Sequence, residues 1–142
     1  MIIMNESQDD ESSCKKYINN TRPEIELIVE KCISLINDGK RDYLISAKEN
    51  FNFQLQYGIP DIWKIVVLIS AKYFCYSADD YKLTKNGKKK ERVYIFKIPY
   101  VLEDKSSDIY FKLKLRKKMN SEDVFVLSIH RPKKTLNLLW NK

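Results

Sequence analysis

The spacing of the apolar residues changes period partway along the chain, and that change limits the fold more than any other feature of the sequence. Ile25, Ile28, Val29, Cys32, Ile33 and Ile36 recur at steps of three and four, the spacing of one helix face. Beyond Arg92 the period falls to two. In Ile109-Tyr-Phe-Lys-Leu-Lys-Leu115, Phe111, Leu113 and Leu115 share one side, while Tyr110, Lys112, Lys114 and the following Arg116 share the other. Arg92–Ile98 and Asp123–His130 read as two further β runs. Helices first and strands second predict an α+β domain, with N-terminal helices packed on a C-terminal antiparallel sheet. The 142 residues suffice for one such domain with its own core.

Thr21-Arg-Pro-Glu24 has the spacing of a capping box, and Gly39 supplies a stop signal for the first helix. Arg41 to Phe51 reads as a shorter helix, with Tyr43, Leu44, Ala47 and Phe51 facing inward. Gly58-Ile-Pro-Asp61 is a turn. The β-branched residues of Ile62 to Phe74 would alone permit a strand, but the length of the run and its Pro-Asp start favour a buried helix. Ala78 to Glu91 is polar, with a turn at Asn86-Gly87 beside Lys88-Lys89-Lys90. Val101–Asp108 and Lys117–Glu122 are loops that permit an antiparallel meander. Residues 1–20 read as a mobile polar leader, 21–131 as the domain and 132–142 as a tail. Leu136-Asn-Leu-Leu-Trp140 in that tail can dock on a partner or fold back on its own core.

The net charge of +7 is unevenly placed. Met1–Lys82 holds 10 basic and 13 acidic residues, Leu83–Lys142 holds 16 basic and 6 acidic, and a polyanion-binding face is expected in the second half. Cys14, Cys32 and Cys75 include no C-x-x-C pair and have one histidine for company, which speaks against zinc or a disulfide framework. No metal or other cofactor is expected. Met1-Ile-Ile-Met4 runs directly into polar sequence, and Lys64, Ser70 and Lys72 interrupt the longest apolar run. A cytoplasmic protein without a membrane partner is the expectation.

Tyr110, Lys112, Lys114 and Arg116 combine an aromatic ring with cations, as phosphates and unstacked bases require. The same residues also suit a solvated face that discourages edge pairing. Strict alternation puts Val124, Val126 and Ser128 on the side of His130, and Phe125, Leu127 and Ile129 on the other. His130 is the single histidine, and Arg131-Pro132 follow it at once.

Taken in order, several short stretches between Lys31 and Arg131 resemble the MqsR family of mRNA interferase toxins, within the wider RelE-like fold. Leu35-Ile-Asn-Asp-Gly39 is similar to the family's leucine-x-asparagine-x-glycine helix ending, and Tyr57-Gly-Ile59 to its glycine turn. Phe74-Cys-Tyr-Ser77 resembles its Phe-Tyr-Lys-Ser motif and Glu91-Arg-Val-Tyr94 its Gln-Asp-Val-Tyr. Ile109-Tyr-Phe-Lys-Leu113 resembles its Val-Tyr-Leu-Lys-Ile strand, and Asp123–Ser128 its final strand. The family's active-site tyrosine falls on Tyr110, its last-strand lysine on His130, its glutamine on Glu91 and the lysine of its Phe-Tyr-Lys-Ser motif on Tyr76. The resemblance implies metal-independent RNA cleavage by 2′-hydroxyl attack, with mRNA and a cognate antitoxin protein as partners. It assigns Glu91 as base, His130 as acid and Tyr110 as a positioning group. Arg131, Lys112, Lys114, Arg116, Tyr76 and Lys89 would then bind phosphate or RNA. A non-catalytic RNA-binding module and a protein-interaction domain, for instance a degenerate toxin or an immunity-type partner, remain the alternatives.

Overall fold

The computed structural model describes residues 19–59, 61–84, 87–102, 105–133 and 135–140. Helix α1 (Arg22–Asn37) begins as its sequence requires. Thr21 Oγ1 accepts from the Glu24 amide at 3.3 Å, and the Glu24 carboxylate accepts from the Thr21 amide at 3.2 Å. Its end is set by Gly39, whose φ of +77° is the left-handed conformation that glycine adopts without a Cβ penalty. There the Lys40 amide returns to the Leu35 carbonyl and the Gly39 amide to that of Ile36, which satisfies two otherwise orphaned acceptors. Ile25, Val29, Cys32 and Ile36 form the buried stripe.

The chain then departs from the sequence expectation. The segment expected to be a helix over Arg41–Phe51 is a strand, β1 (Arg41–Tyr43), followed by helix α2 (Lys48–Tyr57). The reversal at Gly39 lays β1 alongside the last strand, and Gly58, at φ +60°, ends α2 as Gly39 ends α1. Phe53 is consequently the buried aromatic of α2, and Phe51 is exposed. The expected helix over Ile62–Phe74 is reduced to one turn, α3 (Trp63–Val66), and a 3₁₀ turn (Ala71–Tyr73). Its β-branched side chains lose rotamer freedom in a helix, and Ile62, Ile65, Val66 and Ile69 are all buried without a continuous one.

Four long strands follow: β2 (Phe74–Thr84), β3 (Gly87–Leu102), β4 (Lys105–Lys118) and β5 (Ser121–His130). The polar stretch Ala78–Glu91 belongs to the β2–β3 hairpin, and Asn86 lies outside the described residues. The expected loops at Val101–Asp108 and Lys117–Glu122 are mostly strand, because the β3–β4 ladder runs to Leu102↔Lys105 and the β4–β5 ladder to Lys118↔Ser121. The sheet order is β1-β5-β4-β3-β2. It is mixed, not antiparallel throughout, because β1 runs parallel to β5. The chain is therefore α+β, with helices on the N-terminal side and a five-stranded mixed sheet.

The main core lies between α1, α3 and one sheet face, where Phe74, Phe96 and Phe111 pack ring against ring at 5.4 and 5.6 Å between centroids. A smaller cluster of Cys75, Ala78, Val93 and Ile95 lies on the outer face, with Leu136 and Leu138 of the tail packed on it. The Leu139 amide donates to the Phe74 carbonyl, and Trp140 stacks on Phe74 at 5.4 Å. The tail thus folds back on its own core. Burial raises the Cys32 thiol to about 12 and the Cys75 thiol to about 11. Cys14 and the leader up to residue 18 lie outside the described residues. Among the described residues no helix is long and apolar enough to cross a membrane.

Candidate active site

One extra residue in β5 decides where the histidine goes. The β4–β5 register pairs Lys112 with Ser128 but Leu113 with Val126, so Leu127 is a bulge. Strict alternation would put Val124 and Val126 beside His130. The bulge corrects that expectation: Val124, Val126 and Ile129 are all fully buried in the core, and His130 is turned to the outer face. β1 pairs with β5 only from Val124 to Val126. Beyond it, Asn50 of α2 replaces the missing strand. Its amide donates to the Leu127 carbonyl at 3.0 Å and to the Leu44 carbonyl at 2.7 Å, and its oxygen accepts from the Ile129 amide at 3.0 Å. Asn50 is 1% exposed.

At the end of this braced strand, His130 stands opposite Tyr110 in the ladder, and their rings stack at 4.8 Å and 29°. Desolvation raises the Tyr110 hydroxyl well above its ordinary value, with Tyr76, Glu49 and Cys75 adding to the effect. Tyr110 is therefore a neutral platform and not a base. His130 Nδ1–H donates to the Arg131 carbonyl at 2.8 Å. A carbonyl can only accept, so Nδ1 keeps its hydrogen and Nε2 is the nitrogen that exchanges a proton. Nε2 faces Glu49 Oε1 at 4.0 Å, and Glu49 also pairs with Lys133. Arg131 Nη1 donates to the Tyr57 hydroxyl at 3.3 Å. His130 and Arg131 form one wall of a cleft of about 200 Å³, and Glu49, Asn52, Phe53, Gln56 and Tyr57 of α2 form the other.

The structure sorts the residues that the sequence singled out. His130, Tyr110 and Arg131 come together, and Tyr110 continues into a shallow outer-face depression lined by Tyr76 and Lys112. Glu91 is not brought to His130. It stands six residues along β3 from Lys97, the partner of Tyr110, which is about 20 Å at the rise of a strand. Glu91 accepts instead from Lys114 Nζ at 2.7 Å. Lys114 is 6% exposed and lies over the Phe125 ring, so its charge is held inside. Arg116 bonds Asp123 at 2.6 Å and Asp42 at 3.2 Å and covers the other part of Phe125. Neither cation is placed to meet a phosphate beside His130. Lys89 pairs with Lys82 along the β2–β3 ladder, and its side chain lies outside the described residues.

Glu49, Asn50 and Tyr57 were not singled out from the sequence. Ending the second helix at Gly58 would have put Glu49, Phe53, Gln56 and Tyr57 on one stripe at steps of four, three and one. Nothing in the sequence marks Asn50 as buried. Among the described residues no three His, Cys, Asp or Glu side chains gather to hold a metal ion. Comparison of the chain with family models, curated proteins and solved structures finds no match.

Proposed function

We propose that the chain is a metal-independent endoribonuclease, an mRNA interferase toxin of RelE-like class held in check by a cognate antitoxin protein. The observation that carries this reading is the His130 imidazole. It is stacked on Tyr110, fixed through Nδ1–H, and turned so that Nε2 faces a carboxylate beside an arginine. An in-line displacement at an RNA phosphate needs a base, an acid and a cation within reach of one phosphorus, and Glu49, His130 and Arg131 have those chemistries in one cleft. Glu49 takes the place that the sequence resemblance gave to Glu91.

In this scheme the Glu49 carboxylate takes the 2′-hydroxyl proton and the 2′-oxygen bonds to the adjacent phosphorus. The bond from phosphorus to the 5′-oxygen breaks, and that oxygen takes the proton from protonated His130 Nε2. The products are a 2′,3′-cyclic phosphate and a 5′-hydroxyl. Arg131, with Lys133 and Lys112 nearby, balances the charge on the non-bridging oxygens. Purified protein should cut a short RNA in excess EDTA and leave the same oligonucleotide uncut when it is 2′-deoxy. His130→Ala should lower the rate by about 10²-fold or more. Unchanged cleavage by that variant, or salt-sensitive RNA binding with no cleavage by the wild type, would overturn the proposal.

A further inference from the structure

We infer that the cleft between α2 and the end of β5 is a nucleobase subsite, and that it takes adenine. The inference rests on the ribonuclease reading for where the phosphate lies, and on the cleft itself for the base.

The α2 wall has a gradient of chemistry. Glu49 lies at the end near His130, where Lys133 also approaches. Asn52 and Gln56 follow at steps of three and four, so the two carboxamides line the same wall one turn apart. Phe53 and Tyr57 form an aromatic corner, with ring centroids 5.4 Å apart, and Arg131 holds the Tyr57 hydroxyl. Ionic groups suited to a phosphate thus give way to amides and a ring suited to a base. The volume of about 200 Å³ is below that of a drug-sized pocket, roughly 300–1,000 Å³, and suits one planar heterocycle.

The identity of the base follows from the amides. Each carboxamide presents one acceptor beside donors, and it pairs best with a base edge that shows a donor next to an acceptor. Adenine offers that pattern twice, with N6–H beside N7 and beside N1. Guanine shows two acceptors, N7 and O6, on the corresponding major-groove edge, and a carboxamide can satisfy only one of them. Two amides on one wall therefore favour adenine, stacked against Tyr57.

Titration of the isotopically labelled wild-type protein with AMP, GMP, CMP and UMP tests this without any cleavage step. AMP should bind about tenfold or more tighter than the other three, and should shift the side-chain amide signals of Asn52 and Gln56. Asn52→Leu and Gln56→Leu should each weaken AMP binding about tenfold and erase the preference. Both positions are exposed, so the fold should survive, and unchanged circular dichroism would verify that. Equal affinity for the four nucleotides, or AMP shifts confined to another surface, would overturn the subsite. RNA cleavage without a base preference would sink the subsite and spare the ribonuclease. AMP selectivity in a protein that cuts no RNA would do the reverse.

Discussion

Replacing Asn50 with alanine should damage the fold and the candidate site together. The side chain is 1% exposed and makes three hydrogen bonds to backbone groups of two other segments, Leu44 before α2 and Leu127 and Ile129 at the bulge. Truncation leaves an N–H and two carbonyls without these partners. Each buried, unsatisfied group costs about 1–3 kcal/mol, and a water entering the vacated space would restore part of that. A net loss of about 3 kcal/mol is expected, a large share of the 5–15 kcal/mol typical of a domain. Urea denaturation followed by circular dichroism would measure it as a lower midpoint at unchanged slope. Asn50→Asp supplies a second arm. Its carboxylate can still accept from Ile129 but faces the Leu44 and Leu127 carbonyls, so its pKa should be raised in the folded state. The Asn50→Asp variant should accordingly recover stability as pH falls and lose it as pH rises through that raised value. A loss below about 1 kcal/mol for Asn50→Ala, or a deficit independent of pH for Asn50→Asp, would refute the bracing role.

Two further tests concern carboxylates and thiols. Glu49→Gln should lower RNA cleavage by about 10²-fold, whereas Glu91→Gln should leave the rate within about twofold, because Glu91 is tied to Lys114 far from His130. The reverse result, in a discontinuous assay of both variants, would return the base to Glu91. Cys32 and Cys75 titrate near 12 and 11 when folded and near 9.0 otherwise. The unfolded chain therefore releases these protons first. Stability should be constant in this respect below pH 9 and fall by about 1.4 kcal/mol per pH unit per thiol above it. Urea midpoints at pH 8, 9.5 and 10.5 would measure the slope, and a flat profile would contradict the burial of both thiols.

Legibility in the sequence followed the range of the interactions. The α1 cap, its stripe and the glycine stop are local, and Thr21, Glu24 and Gly39 act where their spacing puts them. The cores of β3, β4 and β5 were equally clear, since their alternation continues through many residues. Arg41–Tyr43 could not be read as a strand from its own residues, because its partner is Val124–Val126, some 80 positions away. Ile62–Phe74 showed an apolar run without a period that could tell a helix from irregular buried chain. Within the candidate site His130, Tyr110 and Arg131 were visible as types at strand positions. The carboxylate was assigned to the wrong element because the bounds of α2 were, and the pairing of Lys114 with Glu91 depends on side-chain directions that alternation does not reveal.

The bulge at Leu127 gives β5 two reading frames of inside and outside, one on each side of a single residue. Deleting Leu127 would remove a half-exposed side chain of no direct chemical role, yet it would merge the two frames. Either Ile129 would turn to solvent and His130 to the core, or the whole stretch from Ser121 would invert. Substitution at this position should thus be far better tolerated than deletion. Along this strand, residue count matters more than residue identity.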